Sequence, residues 1–179
     1  MVDRRCAAFL GTRKLAEGPL AEVALAVQAA AAGAAAPLLV FEEASGRVID
    51  LDLRGTPAEL RTRLEAPRGK GRPKLGVTSR EVTLLPRHWD WLAAQPGGAS
   101  VTLRKLVEQA RRDPVQQRRA AQEAAYRFLS AIAGDLPGFE EANRALFAHD
   151  REGLEERMAA WPDDVAAHAL RLLDAAPDR

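Results

Sequence analysis

A short basic strip in the middle of the chain has the residue types that bind phosphate. The nine residues RGKGRPKLG begin at Arg68 and contain four cations, three glycines and one proline. Cationic side chains attract phosphate, glycine lets the backbone approach a ligand closely, and proline holds the chain extended. The same composition is typical of a solvated linker, because glycine and proline interrupt regular structure. The candidate phosphate contacts in this strip are Arg68, Lys70, Arg72 and Lys74.

The charge of the chain is unevenly distributed. Residues 68–119 contain twelve lysines and arginines against four acidic residues, a net charge of +8. Residues 1–67 have a net charge of −1 and residues 120–179 a net charge of −6, so the whole chain carries only +1. A basic centre between neutral and acidic ends is typical of proteins that bind polyanions. A solvated face would carry the same charge, and the acidic C-terminal region could itself neutralise the centre.

Paired carboxylates are the pattern that most resembles a catalytic or metal site. Asp50 and Asp52 lie on one face of a predicted strand, with Glu42 and Glu43 across a predicted hairpin. Such carboxylates can transfer protons or hold a metal, but the alternation is more typical of the hydrated face of a half-buried sheet. Ser100 lies in GGAS rather than in a nucleophile-elbow motif, and the sequence contains no GxxxxGK[ST] loop. We therefore expect no enzyme activity, no cofactor and no bound metal, unless these carboxylates converge in a deep pocket.

The composition favours a helical protein, and the length suits one moderate domain or two small ones. The chain has 179 residues, of which 47% are hydrophobic and only 5% aromatic. Alanine supplies much of the apolar content and has the highest helix propensity, so the core is expected to consist of Ala, Leu and Val. Cys6 is the only cysteine, which excludes an internal disulfide, and His88, His149 and His168 lack metal-ligand spacing. No signal-peptide pattern or bilayer-spanning stretch is present, so we expect a bacterial-type cytoplasmic protein.

Hydrophobic patterns predict an α+β unit in residues 1–66. A strand is expected over residues 6–10, and Pro19 is expected to open a helix that ends near Gly33. The sequence PLLVFEE predicts a second strand, ASG a hairpin turn, and the alternating RVIDLDLRG a third strand. Thr56 then caps a short helix, since Thr-Pro-Ala-Glu has the spacing of a capping box. The expected order of elements is β-α-β-β-α.

A basic linker, residues 67–76, precedes a predicted strand and two predicted helices in residues 77–112. VTSREVTLLP predicts the strand, RHWDWLAAQ a short helix, and VTLRKLVEQARR a second helix with Ser100 as its N-cap. Residues 113–179 are expected to form a helical C-terminal region. The fold class is therefore α+β and mostly helical. The second helix has an apolar face that consists of Leu103, Leu106, Val107 and Ala110.

Two tryptophans flank Asp90 in the predicted short helix. Trp89 and Trp91 are two positions apart, so they cannot point in the same direction on a helix. We expect one of them in the core and the other at a dimer or domain contact.

Nearly the whole chain resembles a bacterial protein family known only as a domain of unknown function. The resemblance is carried by GRPKLGVTSREVTLLPRHWDWLAAQPGGASVTLRKLVEQARR, with GPLAEVALAV upstream and AAYRFLSAIAGDLPGFEEA downstream. Because that family has no assigned activity, the resemblance implies none.

Residues 77–112 also resemble the ribbon–helix–helix DNA-binding fold. REVTLLP, RHWDWLAAQ, PGGAS and VTLRKLVEQARR follow the order of its strand, first helix, turn and second helix. The resemblance implies a homodimer, because one such unit cannot bury its own apolar faces. Two strands would pair into an antiparallel ribbon that enters the major groove of double-stranded DNA. Backbone N–H groups near Ser100 and Val101 would then hold a phosphate.

The alternation of side chains along the strand leaves two base-reading arrangements open. If Leu85 points inward, Arg80 faces the DNA and can contact guanine; if Leu84 points inward, Thr83 faces the DNA instead. The arrangement with Arg80 outward is favoured slightly, because the other would turn Glu81 toward the phosphates.

The sequence KGRPK, residues 70–74, resembles the core of an AT-hook, in which a Gly-Arg-Pro segment lies extended in the narrow minor groove of A·T-rich DNA. Together these features predict a dimeric DNA-binding protein, a transcriptional regulator with a basic arm beside its ribbon. The alternative is a protein-interaction or dimerisation module whose basic centre pairs with an acidic partner or with its own acidic tail. Neither the DNA site nor a small-molecule effector is identified by the sequence. The candidate DNA contacts are Arg68, Lys70, Arg72, Lys74, Arg80, Thr83, Arg87, Ser100, Arg104 and Lys105.

Overall fold

The computed structural model describes residues 4–65 and 80–175, which form an α+β protein that is mostly helical. The chain divides into two compact units. The first unit combines Met1–Ala66 with Gln117–Arg179, and the second unit is Pro67–Gln116. Within the described part of the chain, no helix combines the length and apolar character needed to cross a membrane.

A three-stranded antiparallel sheet lies at the centre of the first unit. The strands are β1 (Arg5–Leu10), β2 (Arg13–Pro19) and β3 (Leu38–Glu42), in the spatial order β2-β1-β3. A hairpin joins β1 to β2 at Gly11, whose φ of 58° suits a residue without a Cβ atom. Residues 6–9 of β1 are all fully buried, so both faces of this central strand are covered.

One face of the sheet packs against α1 (Leu20–Ala31). Cys6 and Ala8 of β1 share an apolar cluster with Val23 on this helix. The next helix, α2 (Pro57–Glu65), packs on α1. Alternate residues of β1 therefore face this side of the sheet, as the period of a strand requires.

The other face of the sheet packs against the C-terminal helices. Phe9 of β1 and Phe41 of β3 lie against Phe128, with ring-centroid distances of 5.3 and 4.9 Å. This aromatic contact belongs to a large apolar cluster that joins the N-terminal strands to the C-terminal part of the sequence. The helices of this region are α5 (Pro114–Ile132), α6 (Phe139–Phe147), α7 (Arg151–Met158) and α8 (Asp163–Asp174).

The observed order of elements in residues 1–66 is β-β-α-β-α rather than the expected β-α-β-β-α. The strand expected over residues 47–55 is not formed, and only Val48 makes an isolated bridge to β3. Apolar residues of this segment pack against the α1 cluster. The Gln28 side-chain amide donates hydrogen bonds to the carbonyl groups of Leu53 (2.7 Å) and Gly55 (2.9 Å). The backbone of this segment is therefore bonded partly to β3, through the Ile49 N–H group and the Arg47 carbonyl oxygen, and partly to side chains of α1 and α2.

The second unit contains α3 (Pro86–Ala93), α4 (Gly98–Arg112) and the first residues of α5. Residues 80–85 form no strand within the single chain, and their pairing with a second copy stays a prediction. The expectation that Ser100 is the N-cap of α4 is wrong. The helix begins at Gly98, because Gly97 adopts a left-handed conformation with φ of 89° and takes the N-cap position three residues earlier.

Candidate nucleic-acid interface

Six of the ten candidate DNA contacts lie in the described part of the second unit, and all six are exposed. Arg80 and Thr83 precede α3, and Arg87 lies in its first turn. Ser100 lies in the first turn of α4, and Arg104 and Lys105 follow in the second. The other four candidates, Arg68, Lys70, Arg72 and Lys74, lie outside the described residues.

Several cations in this unit are not neutralised by neighbouring carboxylates. Among the described residues, Arg80, Arg87, Lys105 and Arg112 make no ion pair, whereas Arg111 pairs with Glu108 at 3.2 Å. The Arg104 Nε atom donates to the Ser100 carbonyl oxygen at 3.0 Å, which holds the guanidinium along the helix without cancelling its charge. The cations without an ion pair can therefore approach a phosphate without first breaking one.

The helix α4 exposes the apolar face that the sequence predicts. No side chain of α4 is buried, and Leu106 and Val107 are 43% and 55% exposed. Leu103 is half-buried and Ala110 is exposed, which completes an apolar stripe of these four residues at helical spacing. A stripe of this kind on a single subunit is typical of a surface that another chain covers.

The second unit has almost no core of its own within residues 80–116. In this described range only Leu92 is buried. Val82 and Leu85, before α3, are 53% and 49% exposed. One buried leucine is a small core for two helices and a short extended segment.

The expectation that one tryptophan of α3 lies in the core is wrong for the single chain. Trp89 and Trp91 are 41% and 53% exposed. The helix has eight residues, and Leu92 is its single buried side chain. Both indole rings are therefore partly exposed to solvent in the single chain.

Two of the carboxylates singled out by the sequence, Asp52 and Glu42, are hydrogen-bonded to neighbouring side chains. Asp52 accepts two hydrogen bonds of 2.8 Å from the Arg54 guanidinium, which lower the pKa of that carboxyl. Glu42 accepts hydrogen bonds from Ser45 (2.6 Å) and Arg4 (2.7 Å), and the Ser45 hydroxyl is the larger cause of its lowered pKa. Within residues 4–65 and 80–175, no group of three or more His, Cys, Asp or Glu side chains is placed to hold a metal ion.

A family model of bacterial proteins matches residues 5–173, nearly the whole chain. The chain belongs to the uncharacterised protein family conserved in bacteria called DUF2239. The match confirms the resemblance to a bacterial family of unknown function and spans both compact units. No curated protein and no solved structure matches the chain.

This DUF2239 chain also contains a polar cluster that sequence reasoning missed. In the first unit, Arg171 of α8 forms ion pairs with Glu17 of β2 and with Glu43, which follows β3, the second at 3.3 Å. The Arg171 guanidinium also contacts Nδ1 of His168, a fully buried residue of the same helix. Burial, and secondarily the charge of Lys14, lower the pKa of His168 to about 4. The cluster ties the strand ends to the last helix, and its members are too far apart in sequence to form a motif.

Proposed function

We propose that this protein is a dimeric DNA-binding protein that acts as a transcriptional regulator. Two copies pair residues 80–85 into an antiparallel ribbon that enters the major groove. The first turn of α4, around Ser100, lies against a phosphate, and the basic strip at residues 68–74 follows the backbone or minor groove beside the ribbon.

The exposed apolar stripe of α4 carries this proposal. Leu106 and Val107 face solvent in the single chain, and covering each of them contributes about 1 kcal/mol of hydrophobic free energy. A second copy offers the same stripe, so a two-fold axis brings equivalent apolar surfaces together. The near absence of buried residues in the described part of this unit has the same explanation, because such a unit completes its core on pairing.

The positions of the cations fit the same arrangement. Lys105 and Arg112 are seven residues apart, so they lie on one face of α4. The apolar stripe lies on the opposite face of the helix. A partner that covers the stripe therefore leaves these cations free for phosphates. Neutralising several phosphates releases counterions, and this makes binding strongly dependent on salt.

Two residues are candidates for reading bases. Arg80 and Thr83 are both exposed, whereas Leu84 between Thr83 and the helix is half-buried. Arginine favours guanine through two acceptors of the major groove, and threonine can contact several bases. Selection of duplexes from a random pool by Arg80→Ala and Thr83→Ala variants distinguishes the two, because the variant that lacks the reader selects a less restricted consensus.

The dimer is tested by chromatography with light scattering. We expect the unmodified protein to have the mass of two chains, and a Leu106→Ser/Val107→Ser variant to have a lower average mass at the same concentration. Phe147→Ser is the matched control, because Phe147 is 50% exposed but lies in the first unit. A stable monomer of the unmodified protein would refute the ribbon.

The DNA contact is tested by titrating a random duplex at several salt concentrations. Contacts from five to eight cations give a log–log slope of about −4 to −7. Arg87→Ala should weaken binding and reduce the magnitude of the slope by about 1, whereas Arg61→Ala on α2 should leave both unchanged. Absent or salt-insensitive binding by a protein that is still dimeric would refute DNA binding and leave the dimerisation module as the function.

A further inference from the structure

The exposed apolar side chains of the first unit are concentrated at one place. Among its described residues, the large apolar side chains that are exposed are Val48, Tyr126 and Phe147. Tyr126 and Val48 line one groove of about 500 Å³. The Phe147 ring lies edge-on against Tyr126, with a centroid distance of 5.3 Å. Scattered single apolar residues need no explanation, but a set gathered at one groove is typical of a binding surface.

The walls of this groove are held in fixed positions. The turn after β3 lies directly on α5, because a Cβ atom on Gly46 would be only 1.9 Å from the Ala124 carbonyl oxygen. The Arg127 guanidinium then joins the turn to the helix by donating to the Ser45 carbonyl oxygen at 3.2 Å and to Glu123 at 2.6 Å. The groove is therefore preformed and needs little ordering before a partner binds.

The polar groups of the groove are predominantly cationic. Arg47 is exposed and makes no ion pair with another described residue, and Arg127 lies on the opposite wall. The carboxylate of Glu123 is occupied by Arg127, and that of Glu42 by Arg4. The acidic charge elsewhere in this unit is screened beyond about 8 Å at physiological salt. Both charged side chains that line the groove are arginines, and this favours an anionic group next to an apolar one.

We propose that this groove, formed by residues 46–48 and 126–131, binds an acidic peptide segment of a partner protein that carries one large apolar side chain. The apolar side chain packs between Val48 and Tyr126, and a neighbouring carboxylate pairs with Arg47. A small molecule fits less well, because ligand sites bury most of a small ligand, whereas this groove is shallow and open. A peptide extends beyond the groove and does not need enclosure.

The test uses a phage library of random dodecapeptides selected on the full-length protein. We expect enriched sequences that combine acidic residues with a leucine or an aromatic residue. Synthetic versions of the enriched peptides are then titrated by fluorescence anisotropy. Arg47→Glu should weaken binding by about tenfold or more, and Tyr126→Ser should weaken it similarly. Arg61→Glu is the control with the same charge change on α2, and it should leave affinity within about twofold.

Several results would overturn the proposal. They are a library that yields no enriched sequence above an uncoated surface, a consensus that is basic or uncharged, and peptides that bind Tyr126→Ser as tightly as the unmodified protein. Circular dichroism of each variant confirms that the exposed substitutions leave the fold intact. The assay contains no DNA, so its outcome is independent of the proposed DNA-binding function.

Discussion

Protonation of His168 should destabilise the first unit as the pH falls from 7 to 5. The imidazole is fully buried beside the rings of Phe9 and Phe128, at centroid distances of 5.2 and 4.5 Å. Because the Arg171 guanidinium can only donate, Nδ1 is the acceptor and the neutral ring carries its proton on Nε2. A charged imidazolium at this position would lose hydration and would face the positive charges of Arg171 and Lys14.

The size of the effect follows from the shift in pKa. His168 titrates near 6.5 in the unfolded chain, but burial lowers its pKa to about 4 in the folded chain. Between these values the unfolded state binds more protons, so the stability present above pH 6.5 is lost as the pH falls toward 4. The complete loss is about 3 kcal/mol, and the part between pH 7 and pH 5 is about 2 kcal/mol.

Urea unfolding at pH 7 and at pH 5 measures this loss. Trp161 is buried in the first unit and reports its unfolding when Trp89 and Trp91 are both replaced by Phe. In this background a His168→Leu variant should lose less than half as much stability between the two pH values. His88→Gln, which replaces an exposed histidine, should behave like the background protein.

Each variant is compared with itself at pH 7 and pH 5. A change in unfolding free energy caused by altered packing is the same at both pH values and cancels from the difference. The carboxyls of Glu42, Asp52 and Glu59 have lowered pKa values, so their titration lies below this pH window. Equal losses in the background protein and in His168→Leu would refute the reasoning.

Three further predictions concern single residues of the first unit. Burial raises the pKa of Cys6 to about 11, so an aromatic disulfide reagent at pH 8 should react about a hundredfold more slowly with the folded protein than with the urea-unfolded protein; equal rates would contradict the burial. Gly46→Ala should cost about 3 kcal/mol, because the new Cβ atom would overlap the Ala124 carbonyl and φ is positive. Gly33→Ala, with open space around it, is the thermal-unfolding control and should change little. Thr56→Ala should cost about 1 kcal/mol in urea unfolding, because the Thr56 hydroxyl and the Glu59 carboxylate cap α2 reciprocally; a loss no larger than that of Thr62→Ala would contradict the capping role.

The helices were the most predictable part of the fold, because their signals are local. The capping box at Thr56 and Glu59 is present as predicted, and the described part of the C-terminal region is helical as predicted. The apolar spacing in VTLRKLVEQARR also predicts the stripe of α4. Each of these features depends on residues that are close together in the sequence.

The strand pairing was less predictable. Alternation shows which side chains are apolar, but it does not show which strand the backbone forms hydrogen bonds with. Ile49, Leu51 and Leu53 alternate with polar residues and do pack inward, yet their segment has no ladder. The polar cluster at Arg171 was not predictable at all, since it joins residues from both ends of the chain. The exposure of the candidate DNA contacts is likewise a tertiary property, and the pairing of two strands into one ribbon stays a prediction.

The two-segment composition of the first unit has a consequence for how the chain is made. Phe9 and Phe41 leave the ribosome early, but Phe128, which covers them, is added about 120 residues after Phe9, which at about 5–20 residues per second takes about ten seconds. During that interval one apolar face of the nascent sheet is exposed to solvent. Nascent chains should therefore bind ribosome-associated chaperones. Slowing elongation between Phe41 and Phe128 should lower the yield of native protein.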